Sequence, residues 1–151
     1  MKKILILILS LLMLLFAGCG AYELKANSDE VIICIDFSDV SQDVFRVDMT
    51  YSLNGELMGG QGTCYPDGSA MKGPAVFHLD TVCFPENSSL EGFSFNAVLC
   101  GDTSGMQELF SSAEIINHSN ECEVITPQYG EIYNYKISGS YEEGFKLERV
   151  L

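Results

Sequence analysis

The sequence predicts an all-β fold, a two-sheet antiparallel sandwich of seven to eight strands with one short helix near residues 105–113. Three observations predict it: apolar and polar residues alternate with period two in short runs, Gly/Pro/Asn/Asp clusters separate those runs about every ten residues, and helical spacing appears in a single segment.

The first run, Val31 to Phe37, is β-branched and short, the composition of a largely buried strand. Ser38 to Asp43 punctuates it. In Val44 to Leu53, Phe45, Val47, Met49, Tyr51 and Leu53 share one face while Arg46, Asp48, Thr50 and Ser52 share the other, period two without exception. Asn54-Gly55 follows at once. Both residues tolerate positive φ, which predicts a two-residue type I′ hairpin turn with Glu56 to Met58 returning antiparallel. Gly59, Gly60 and Gly62 are expected to weaken that second arm as a bulge or irregular edge; a phosphate cradle needs a following helix and Lys, which the sequence lacks.

Pro66-Asp67-Gly68-Ser69 reads as a turn, because Pro presets φ and Gly supplies the left-handed conformer. Ala75 to Phe84 and Gly92 to Cys100 are the next strands, separated by Pro85-Glu86-Asn87-Ser88. Ser104 with Gln107 matches a capping box, and Met106, Leu109, Phe110 and Ala113 form the stripe of an amphipathic helix. So short a helix needs a sheet to dock on. Glu121 to Thr126, Glu131 to Ser138 and Gly144 to Val150 complete the strands, the last two as a hairpin. The arrangement is Ig-like in architecture, but without Trp the Cys-Trp-Cys spacing of a true immunoglobulin domain is missing. A small barrel or an α+β layer built on the helix is the alternative.

The N-terminus has a different character. Lys2-Lys3 and an apolar run from Ile4 to Phe16 fit the charged and hydrophobic regions of a secretory leader, and the run breaks at Gly18-Cys19-Gly20, short of the roughly 20 residues a membrane span requires. Ala17-Gly18-Cys19 resembles the lipobox of bacterial lipoproteins, with Phe16 where Leu is usual three places before the cysteine. The resemblance covers the leader alone. It implies removal of residues 1–18 and acylation of Cys19; the polar, unpatterned stretch that follows reads as a lipidated tether over 19–30, and the strand pattern as a β-sandwich domain over 31–151. It also implies a place on the extracytoplasmic face of a bacterial cell membrane, with the lipid bilayer as partner. The competing reading is ordinary secretion, with cleavage after Ala21.

Composition narrows the function classes. The chain carries a net charge of −13, and Lys2 and Lys3 belong to the leader, so the mature protein is more acidic still. Lys25, Arg46, Lys72, Lys136, Lys146 and Arg149 are scattered, which excludes a nucleic-acid partner, since such binding needs concentrated positive charge. Five cysteines follow Cys19, namely Cys34, Cys64, Cys83, Cys100 and Cys122; an odd count leaves at least one unpaired, and disulfides and buried thiols both stay open. No Cys/His spacing fits zinc.

Three groups are candidate sites. Asp36, Asp39 and Asp43 crowd one loop and supply hard oxygens of the kind that bind Ca²⁺, against the alternative of a solvated acidic loop; no other cofactor is expected. His78 and Asp80 lie on one strand face and could orient an imidazole for acid–base work, though no nucleophile elbow or zinc helix accompanies them. Tyr133 and Tyr135 share a face and could stack a sugar or peptide, but Ile137 continues that face, which points to core. The expectation is therefore a non-catalytic binding or accessory lipoprotein of the envelope, with an envelope protein, peptide or glycan as ligand. A small hydrolytic or metal-assisted enzyme using His78 and Asp80, and a purely structural envelope protein, are the rivals.

Overall fold

The computed structural model describes residues 23–85, 88–102, 115–118, 125–140 and 144–151. Cys19, the leader, Cys122 and the expected helix near 105–113 lie outside them, as does most of the expected strand Glu121 to Thr126. Among the described residues, eight strands make two four-stranded sheets, an all-β sandwich. One sheet holds β1 (Glu30–Asp36), β4 (Ala75–Asp80), β7 (Ile132–Ser140) and β8 (Gly144–Val150) in the order β4-β1-β7-β8. The other holds β2 (Arg46–Leu53), β3 (Glu56–Cys64), β5 (Phe93–Cys100) and β6 (Ile115–His118) in the order β3-β2-β5-β6.

Pairing is antiparallel except between β1 and β7, which run parallel with Ile33 beside Tyr133 and Ile35 beside Tyr135. This corrects the wholly antiparallel expectation. A parallel neighbour needs a long crossover, and here most of the chain lies between the two strands. Being central and covered on both faces, β1 buries the run from Glu30 to Ile33, which is why its sequence is nearly continuously β-branched.

The core lies between the sheets. Val31, Ile33, Ile35, Phe77 and Leu79 face Val47, Met49, Phe93 and Phe95, and the Phe95 ring meets Tyr135 edge-on at 4.7 Å between centroids. At one side Gln61 Nε2 donates to the His78 carbonyl at 2.9 Å, pinning β3 of one sheet to β4 of the other.

The β2–β3 hairpin turns at Asn54 (φ 52°) and Gly55 (φ 81°), the positive-φ pair expected of a type I′ turn. Its second arm is longer than expected, reaching Cys64, and the irregularity is confined to one place. Tyr51 faces Gly59 while Ser52 faces Leu57, so Met58 is the bulged residue. The glycines are there for packing: a Cβ at Gly59 would lie 2.7 Å from the Tyr51 hydroxyl, and one at Gly62 would collide with Asp48 Oδ1.

Two further boundaries differ from expectation. The strand from Ala75 stops at Asp80, whose side chain caps a 3-10 turn over Thr81–Cys83 by accepting from Val82 N. Ile115–His118, a stretch to which the sequence pattern assigned no element, is a strand paired with β5. Ile125 adds a single bridge to Phe93. β7 and β8 pair antiparallel as anticipated.

Candidate functional site

His78 stands on β4 with its side chain half exposed, and the carboxylate that holds it is Glu30 rather than Asp80: His78 Nδ1 lies 3.0 Å from Glu30 Oε2. The two meet diagonally, since Glu30 faces Asp80 and Ile32 faces His78 in the β1–β4 ladder. Asp80 instead spends Oδ1 on Val82 N at 3.1 Å and on the Cys83 thiol at 3.6 Å. Sharing a strand face thus places His78 and Asp80 in parallel without coupling them. The other Glu30 oxygen accepts from Asn27 N at 2.7 Å and Asn27 Nδ2 at 2.8 Å. These Asn27 bonds, then His78, hold the Glu30 carboxyl below its ordinary range. Residues 27–30, expected in the tether, therefore belong to the folded domain.

The aspartates of the β1–β2 loop are separated by their bonds. Asp36 accepts from Ser38 N at 2.9 Å and Ser38 Oγ at 3.0 Å, a local turn. Asp39 reaches across to Lys136 Nζ at 2.7 Å. Asp36 and Asp43 do line one groove, of about 420 Å³, between this loop and residues 71–74. Its lining includes the buried Phe37, Val44 and Met71, and Lys72 adds a cation to it. Among the described residues no three His, Cys, Asp or Glu side chains come together as a metal site.

Tyr133 and Tyr135 are core, the reading that Ile137 favoured, and not the alternative stacking surface: they are 6% and 2% exposed. Residues 133, 135 and 137 all turn inward, so Ile137 was the informative neighbour. The Tyr133 hydroxyl donates to Glu131 Oε2 at 2.9 Å and accepts from Gln128 N at 3.0 Å, while Arg149 stacks 4.9 Å from its ring centre.

A polar cluster on β2 is buried. Arg46 and Asp48, on the outward face of β2, are 2% and 3% exposed and joined by Nη2 to Oδ2 at 2.7 Å and Nε to Oδ2 at 2.9 Å. Burial pulls the Arg46 pKa down, but Asp48 outweighs it and the guanidinium stays above its usual value. Arg46 sits between Cys64 on β3 and Cys100 on β5. The Cys100 thiol, 3.6 Å from Asp48 Oδ2, is pushed up to about 11 by burial and then by that carboxylate. Two strand spacings of roughly 4.8 Å separate Cys64 from Cys100, beyond disulfide reach. Among the described residues, Cys34, Cys64, Cys83 and Cys100 form no disulfide with one another.

Opposite charges at i and i+2 on one strand face were the available sign of the Arg46–Asp48 pair. Glu30 and His78, 48 residues apart, left none. No family model matches the chain, and no curated protein matches it. Among solved structures, a disulfide-locked mutant of intermedilysin with human CD59 is similar over 80% of this chain, at 8% identity and a TM-score of 0.32. This chain spans 24% of that one.

Proposed function

We propose that this chain is a lipid-anchored extracytoplasmic lipoprotein of a bacterial envelope that works by binding, as an accessory module without catalysis. The observation that carries the reading is Ala17-Gly18-Cys19 at the end of a lysine-led apolar run. Acyl chains contribute about 0.8 kcal/mol per buried CH₂, and two or three of them on Cys19 hold a domain at the bilayer where one binds only marginally. The ligand is a neutral or basic envelope component, protein, peptide or glycan, because an acidic chain with dispersed lysines and arginines repels polyanions. The groove between the β1–β2 loop and residues 71–74, with a lining both apolar and charged, is the place offered to it.

Metabolic labelling with palmitate tests the anchor. The wild-type chain is expected to take up label and sediment with membranes, and Cys19→Ser to do neither. An unlabelled wild-type chain, or a mature form beginning elsewhere than Cys19, overturns the reading.

A further inference from the structure

We propose that the sandwich rests on the bilayer by the end at which β1 begins, so that the groove, at the opposite end, opens away from the membrane. This rests on the lipid-anchored reading of Cys19 and deepens it: the groove takes its ligand from the aqueous side and not from the lipid.

Register fixes the two ends. Glu30 at the start of β1 faces Asp80 at the end of β4, Ile132 at the start of β7 lies beside Ile32, and Val150 at the end of β8 faces Asn134. Phe84, just past the 3-10 turn that follows β4, aligns the second sheet with the first. Its ring lies 5.7 Å from that of Tyr51 near the end of β2 and 6.2 Å from that of Phe93 at the start of β5. The β2–β3 hairpin turn therefore belongs to this same end. The groove belongs to the other, because Asp36 ends β1, Pro74 precedes β4 and Val44 precedes β2.

The bonds from Asn27 to Glu30 hold residue 27 at the first end. The eight residues from Cys19 to Ala26 reach at most roughly 28 Å when fully extended. The groove stands farther off by the length of β1, seven residues or roughly 23 Å. Laying the groove on the lipid would draw the tether out along most of its reach, at a cost in chain entropy. Lowering the β1-start end leaves the tether slack.

Exposed apolar side chains follow the same division. Val82 on the 3-10 turn is 87% exposed and Leu57 beside the hairpin turn 67%, and Leu24 and Val150 are exposed at this end too. At the groove end Tyr65, 37% exposed, is the only large apolar side chain of that kind among the described residues. A lone exposed apolar residue is ordinary, but several at the end nearest Cys19 give a lipid surface apolar area to cover. Asp29, Glu56 and Asp80 are exposed at the same end, so anionic headgroups oppose the contact and zwitterionic ones suit it.

The test uses the lipidated full chain in phosphatidylcholine vesicles, some of whose lipids carry nitroxide groups on their acyl chains. A fluorescent amino acid is placed at Val82 or at Ser41, an exposed residue of the groove lining. Quenching by the nitroxide lipid is expected to be severalfold greater at position 82 than at position 41. With the fluorophore at Leu57 instead, Val82→Asp is expected to lower quenching severalfold while the chain still sediments with the vesicles and its melting temperature verifies folding. A sedimenting chain that is quenched equally at 82 and 41, or more at 41, or that is indifferent to Val82→Asp, overturns the proposal and leaves the anchor standing. A chain that carries no fatty acid and stays in the supernatant overturns the anchor, and the proposal falls with it.

Discussion

Glu30 spends both of its oxygens, one on the amide groups of Asn27 and one on His78, and so ties the start of β1 to the edge strand β4. Its folded-state pKa lies below the 4.5 of the free group, which fixes the sign of its linkage to stability. The contribution is fully present above about pH 4.5 and is lost as pH falls through the lower, folded value. In melts between pH 3 and 7, Glu30→Gln is expected to lower stability at neutral pH and to flatten the acid limb. An acid limb identical to wild type would show that Glu30 is unlinked. At this scale the sequence was legible where the partner is a near neighbour. Asp67 with Ser69 is a turn that its own residues spell out, whereas Glu30 was assigned to a tether because its partner is 48 positions away.

Among the elements, the β2–β3 hairpin best shows what a pattern can and cannot say. Asn54-Gly55 and strict alternation specified the turn, and the turn has the positive φ pair they require. The burial of the outward face of β2 could not be read, because alternation shows which residues share a side and leaves open what covers it. Arg46 and Asp48 are buried, and Gly62 is the gap that admits the Asp48 carboxylate. Removing one partner strands the other, so Asp48→Ala is expected to cost about 3–5 kcal/mol in denaturant titration, with the Arg46→Met/Asp48→Leu double variant losing much less. If the double variant loses as much as the single, the cost lies in packing and the ion-pair account fails.

For the whole molecule, the two sheets are joined through their inward faces, where Phe95 touches Tyr135 across the interface and Phe93 beside it. Phe95→Ala is expected to cost about 3–5 kcal/mol as a cavity opens at the sheet–sheet contact. Val82→Ala, on the exposed 3-10 turn, is expected to stay within about 0.5 kcal/mol. Equal losses for the two, measured by thermal melting, would place the core elsewhere. Strand count and sheet layering were readable because each strand's inward face must be apolar to bury. Strand order was not, since β1 beside β7 joins segments about a hundred residues apart and nothing local distinguishes a parallel neighbour from an antiparallel one.

By itself the sequence determined the all-β class, the alternating faces, the Asn54-Gly55 turn and the inward row of Tyr133, Tyr135 and Ile137, all products of local sterics and of the need to bury apolar side chains. Tertiary structure alone decided which carboxylate meets His78, that Asp36 and Asp39 are drawn to different partners, and that Arg46 and Asp48 are buried. These depend on which distant segments become neighbours, and a chain's periodicity carries no record of that.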